Sequence, residues 1–129
     1  MARRLKNILY VEDEPDIQVV GKLALESVGG FTVRVCDRGA QALALARQDP
    51  PDLILLDVMM PELDGPSTLR ALRQEPALAA TPVIFLTARV AADEVMGYRA
   101  LGAIGVIAKP FDPMQLAANV TRIWNEQHG

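Results

Sequence analysis

The chain has 129 residues, half of them hydrophobic, with a formal net charge of −3 and a single cysteine, Cys36. That length and composition suit one domain, residues 1–129 with a core over about 7–126, held by its own apolar interior; an intramolecular disulfide and a disordered chain are excluded. The basic cluster Arg3, Arg4 and Lys6 is short and terminal, and the apolar run after it ends in acids, unlike a signal peptide. No stretch approaches the ~20 apolar residues of a membrane span, so a cytoplasmic protein with no membrane partner and no direct nucleic-acid partner is expected.

In chain order, the first predicted strand covers Asn7–Val11 and runs into Glu12 and Asp13. Pro15 suits the first turn of a helix. Ile17, Val20, Ala24 and Val28 recur at spacings of three and four, which predicts an amphipathic helix with those residues inward. Gly29-Gly30 ends it. A second strand over residues 31–36 contains Cys36, read as a buried, inert thiol. Residues 40–47 are rich in alanine and leucine and favour a helix, stopped by Asp49-Pro50-Pro51.

The third strand, residues 53–56, is an apolar run that ends on Asp57. Pro61 and the turn signal Asp64-Gly65 follow, so Asp57 is placed where a strand stops and a loop begins. Gly65-Pro66-Ser67 opens a third helix with Leu69 and Leu72 inward. Thr81-Pro82 precedes a fourth strand over residues 83–86, which runs into Thr87. A fourth helix covers residues 91–101. The fifth strand, residues 106–108, runs into Lys109-Pro110. The last helix is expected to start near Asp112-Pro113, an N-cap and a first-turn proline. Leu116, Val120 and Ile123 line its inner face, with Trp124 as a packing residue.

Five βα units in succession imply a doubly wound α/β fold, a (βα)5 five-stranded parallel sheet with helices on both faces. The flavodoxin-like order 2-1-3-4-5 places the switch point between strands one and three, and ligands bind beyond the carboxyl ends of the strands there. Glu12, Asp13 and Asp57 then lie side by side. Three converging carboxylates repel one another, and at least one should have a raised pKa. A divalent cation relieves the crowding, and an oxygen-only set with few carboxylates suits Mg²⁺, or Mn²⁺. Thr87 offers a hydroxyl and Lys109 a mobile ammonium. Together they describe a phosphoryl site with Asp57 as the nucleophile, Lys109 and the metal neutralising oxygens, and Thr87 hydrogen-bonding one of them.

Each feature alone has an ordinary structural reading: an aspartate after a strand caps a helix, a lysine is solvated, an acidic loop suits a helix N-terminus. Their joint placement at four strand ends is what carries the argument. No G-x-G-x-x-G after a strand, no P-loop and no nucleophile elbow occurs, and the only histidine is His128.

The sequence resembles the receiver domain of two-component response regulators over essentially its whole length. The resemblance lies in Tyr10-Val-Glu-Asp-Glu14, the run Asp52 to Asp57 continued by Val-Met-Met-Pro61, Asp64-Gly65, Leu86-Thr-Ala88 and Lys109-Pro-Phe111. It implies that Asp57 accepts a phosphoryl group from a phosphohistidine on a sensor histidine kinase or phosphotransfer protein. It also implies that Asp13, Asp57 and the Met59 carbonyl bind Mg²⁺ directly, that Glu12 acts through water, and that the Lys109–Pro110 bond is cis. Such a domain is a phosphoacceptor rather than an enzyme. As a free-standing module it would signal by conformational change to a downstream protein target. A metal-dependent phosphatase of the aspartyl-phosphate type fits less well, since Met59 stands where its second aspartate belongs.

The chain departs from the family's pattern in three places. Val106 stands where relatives usually carry an aromatic residue. The acidic pair common near Ile104-Gly105 is missing. Met59 and Arg89 occupy the two positions that influence loss of the phosphoryl group, and neither can orient water as a base, so a slow self-dephosphorylation is expected.

Overall fold

The computed structural model describes residues 4–128; Arg3 of the terminal basic cluster lies outside them. Its elements alternate: β1 (Asn7–Val11), α1 (Pro15–Leu23) continued by a π-helical segment (Ala24–Val28), β2 (Thr32–Cys36), α2 (Gly39–Gln48), β3 (Leu53–Asp57), α3 (Gly65–Gln74), β4 (Val83–Thr87), α4 (Ala92–Ala100), β5 (Gly105–Ala108) and α5 (Leu116–His128). The five strands form one parallel sheet in the order β2-β1-β3-β4-β5, as expected.

Every residue of β3 and β4 is buried, which is why both read as unbroken apolar runs rather than as alternating ones. Side chains alternate between the two faces. Tyr10, Leu55, Ile84, Leu86 and Ile107 pack with Leu25 and with Leu116, Val120, Ile123 and Trp124 of α5. Leu9, Val11, Ile54, Leu56, Val83 and Phe85 pack on the other face with Ala42 and Ala46 of α2 and Leu69 and Leu72 of α3. Cys36 is buried and its thiol is pushed up to about 11, first by burial, which agrees with an inert role. Among the described residues no helix is long and apolar enough to cross a membrane.

Two expectations about helices need correction. The inner face of α1 is Gly21, with Ala24 and Leu25 following it, whereas Val20 and Val28 are 42% and 50% exposed. The cause is close approach. A Cβ on Gly21 would lie 2.6 Å from the Tyr10 ring, so the helix settles on its small residues and turns its valines outward. The π-helical segment then shifts the phase of the helix after Leu23. The second correction concerns α5, which begins at Leu116. Asp112 does cap, but it caps a preceding turn: its Oδ1 accepts from the Met114 N–H at 2.9 Å, and its carbonyl accepts from Leu116 N–H at 3.0 Å.

Candidate functional site at the carboxyl ends of the strands

Strands β1, β3, β4 and β5 deliver their polar residues to one edge of the sheet. Val11 pairs with Leu56, so Glu12 and Asp57 leave neighbouring strands at the same level. Asp57 pairs with Leu86, and Thr87 with Ala108. The strand pattern runs one residue further than expected on both β3 and β4, so Asp57 and Thr87 are the terminal strand residues themselves. Their backbone is therefore set by sheet pairing rather than by loop conformation.

The loop after Asp57 is held closely. Val58 N–H donates to the Leu86 carbonyl at 3.0 Å, and Gly65 N–H donates to the Val58 carbonyl at 3.0 Å. A Cβ on Gly65 would stand 2.7 Å from the Asp57 carbonyl oxygen and 2.8 Å from Val58 Cα, so α3 can begin there only on glycine. The adjoining Asp64 is the N-cap of α3 and accepts from Ser67 N–H at 2.8 Å.

Glu12, Asp13 and Asp57 each present a carboxylate oxygen within 4.8 Å of the others. Glu12 and Asp57 are buried, and Asp13 is half-buried. Lys109 Nζ reaches across, 2.8 Å from Glu12 Oε1 and 3.4 Å from Asp57 Oδ2. Asp57 Oδ1 also accepts from the Met59 N–H at 3.3 Å, while the Met59 side chain points to solvent, 72% exposed. Thr87 is buried, and its Oγ1 accepts from Arg89 N–H at 3.0 Å. Lys109 is tied to the same strand, its N–H donating to the Thr87 carbonyl at 2.9 Å, and the Lys109–Pro110 bond is cis.

The electrostatics follow from this crowding. Burial, and then the neighbouring Glu12 carboxyl, raise the Asp57 pKa to about 7, against Lys109 and the Met59 N–H, which lower it. Burial disfavours the Lys109 ammonium, but Glu12 and Asp57 outweigh it and hold its pKa above the usual lysine value. Tyr10, beneath the site, donates from its hydroxyl to the Ile17 carbonyl at 3.4 Å; burial and then Glu12 and Asp57 hold its pKa above the tyrosine range. One ammonium does not balance three carboxylates. The donor set is all oxygen and carries excess negative charge, which fits a hard divalent cation such as Mg²⁺ or Mn²⁺.

Comparison with known proteins decides the family. Residues 8–121 match the response regulator receiver domain. The chain belongs to that family. Its relatives include the transcriptional regulatory protein CpxR of Escherichia coli strain K12, 43% identical over 125 residues. The response regulator Rre1 of Synechocystis is 34% identical over 122 residues. These alignments cover 96% and 94% of this chain but 51% and 52% of the relatives, so the chain spans about half the length of the curated proteins it matches. Among solved structures, the chemotaxis response regulator CheY4 of Vibrio cholerae superposes with a TM-score of 0.85 at 29% identity. That superposition covers 93% of this chain and 99% of CheY4. The receiver domain of a signal transduction histidine kinase from Syntrophus aciditrophicus superposes with a TM-score of 0.80 at 35% identity, covering 94% and 91%.

As a receiver domain, this chain is a component of two-component signalling, with the flavodoxin-like sheet expected from its pattern. Its departures are also visible. Val106 is half-buried against the same cluster as Tyr98 of α4, and the Tyr98 ring meets Phe85 edge-on with centroids 5.2 Å apart. An aromatic group thus packs on this end of the sheet from a helix. Arg89 extends to Glu94 at 4.0 Å. Two residues around the site were given no role by the sequence reading. Tyr10 lay hidden in an apolar strand. Gln18, one of several polar residues on α1, donates from its side chain to the Glu12 carbonyl.

Proposed function

We propose that this receiver domain accepts a phosphoryl group on Asp57 from the phosphohistidine of a sensor histidine kinase or phosphotransfer protein. Asp57 is then the nucleophile: one carboxylate oxygen forms the new O–P bond as the P–N bond breaks, and that electron pair returns to the imidazole. Lys109 stands ready to neutralise a phosphoryl oxygen, as it now neutralises Glu12 and Asp57. The Thr87 hydroxyl, at the end of the adjacent strand, is the donor to a second oxygen. Asp13, Asp57 and the Met59 carbonyl would hold Mg²⁺ or Mn²⁺ directly, with Glu12 acting through water. Bound there, the cation would supply charge neutralisation at the phosphoryl oxygens. The observation that carries this reading is the gathering of three carboxylates within 4.8 Å, spanned by a single ammonium.

Phosphorylation adds roughly two negative charges beside Thr87 and Lys109. Thr87 releases its bond to Arg89 N–H to meet the new oxygens, which moves the loop leading into α4. That displacement is the signal to a protein partner. The test is intact mass after incubation with Mg²⁺ and a small phosphoramidate donor. Wild type should gain one phosphoryl group, and Asp57→Asn should gain none. An adduct on Asp57→Asn with unchanged kinetics would overturn the assignment.

A further inference from the structure

We infer that Gln18 is a positioning residue for the cation site, fixing the peptide before Asp13 so that the Asp13 carboxylate is presented to Asp57. The inference rests on reading the acidic cluster as a metal site. The ladders of β1 end at Val11, which pairs with Cys36 on one side and Leu56 on the other. Beyond that point the chain must turn into α1 while still delivering Asp13 to the cluster. Glu12 N–H keeps one sheet contact, donating to the Cys36 carbonyl at 3.0 Å. The Glu12 carbonyl accepts from the Gln18 side-chain amide. The Glu14 carbonyl accepts from the Gln18 backbone N–H at 2.9 Å.

The Gln18 amide therefore fixes the peptide that precedes Asp13, while the peptide that follows it is held by Glu14 N–H, which donates to Glu12 Oε2 at 3.3 Å. Both peptide groups flanking Asp13 lose their freedom to rotate, and the Asp13 side chain leaves the backbone in a set direction. Gln18 suits this task because its amide donates a hydrogen bond without adding charge to a site that binds a cation. Lys109 performs the complementary task on the other side of the loop by holding the Glu12 carboxylate at 2.8 Å. Partners that orient a metal ligand without touching the metal commonly change affinity by about 10–100-fold.

The experiment is a Mn²⁺ titration, read by water proton relaxation, of the metal-stripped full chain. Gln18→Met keeps the length and loses the donor; Gln18→Leu is a second donorless variant; Gln18→His, neutral at about pH 8, restores an uncharged N–H donor. Both donorless variants should bind Mn²⁺ about 10-fold more weakly at that pH, and Gln18→His should recover part of the loss. Metal-free melting temperatures should stay close to wild type, which a merely structural role would not allow. In an Asp13→Ala background the Gln18→Met change should cost nothing further, because the two residues act as one unit. Donorless variants that bind as tightly as wild type would overturn the inference, as would an equal loss in the Asp13→Ala background. A wild-type chain that takes up no Mn²⁺ overturns the metal reading itself, and this inference with it.

Discussion

Asp57 occupies a position that is unfavourable for its charge until something compensates it. Its carboxyl stands at about 7 against an ordinary 3.8, chiefly through burial and then the Glu12 carboxyl. The folded chain therefore holds a proton that the unfolded chain releases at lower pH. This contribution to stability is fully present below the unfolded value and is lost as pH rises through the folded one. Metal-free Asp57→Asn should be more stable than wild type by about 1–2 kcal/mol at pH 8, because it removes a crowded charge. The gain should vanish below the ordinary carboxylate pKa. Urea denaturation of both proteins across this range, with a chelator present, measures it; a constant difference at every pH would refute the electrostatic explanation. Gly65 makes a steric counterpart. A methyl group there meets backbone atoms of Asp57 and Val58 at 2.7 and 2.8 Å. Gly65→Ala should cost about 2 kcal/mol or more and slow phosphorylation, since neither contact is a flexible side chain that can yield.

Among the elements, α4 is the least anchored. None of its residues is buried, and its hold on the sheet comes from half-buried side chains such as Tyr98. Its amides should exchange with solvent well before those of β1, β3 and β4, whose residues are nearly all inaccessible. Gly97, in the middle of α4, has no atom within 4 Å of where a Cβ would stand. Gly97→Ala should stabilise the chain by about 0.5–1 kcal/mol and retard exchange in α4 specifically. Hydrogen exchange with mass detection reads both. The helix α1 illustrates how far an element can be read from its sequence. Periodicity located it and its glycine stop, but of the four recurring apolar residues Ala24 alone is buried, while Val20 and Val28 face outward. The sheet selected Gly21 because Tyr10 leaves no room for a side chain, and that contact exists only once β1 and α1 are docked.

At the scale of the whole molecule, cation binding should couple to folding, because the three carboxylates come together only in the assembled sheet. A ligand at 100 times its dissociation constant adds about 2.7 kcal/mol to the folded state. Saturating Mg²⁺ should therefore raise the melting temperature by several degrees at pH 8, and much less in Asp13→Ala. Equal shifts in the two proteins would show that the cation acts elsewhere.

The alternation of strand and helix, the strand order and the placement of Glu12, Asp13, Asp57, Thr87 and Lys109 at the carboxyl ends of their strands were legible in the sequence alone. Apolar runs that end on polar residues are a local pattern, and the rules of parallel sheets turn that pattern into a shared edge. What needed the tertiary structure was every relation between side chains distant in sequence. Lys109 reaches a glutamate 97 residues away, Tyr98 of α4 meets Phe85 of β4, and α1 turns its valines outward. Those outcomes depend on which surfaces approach closely enough to touch, and distance across a folded core is not encoded in spacing along a chain.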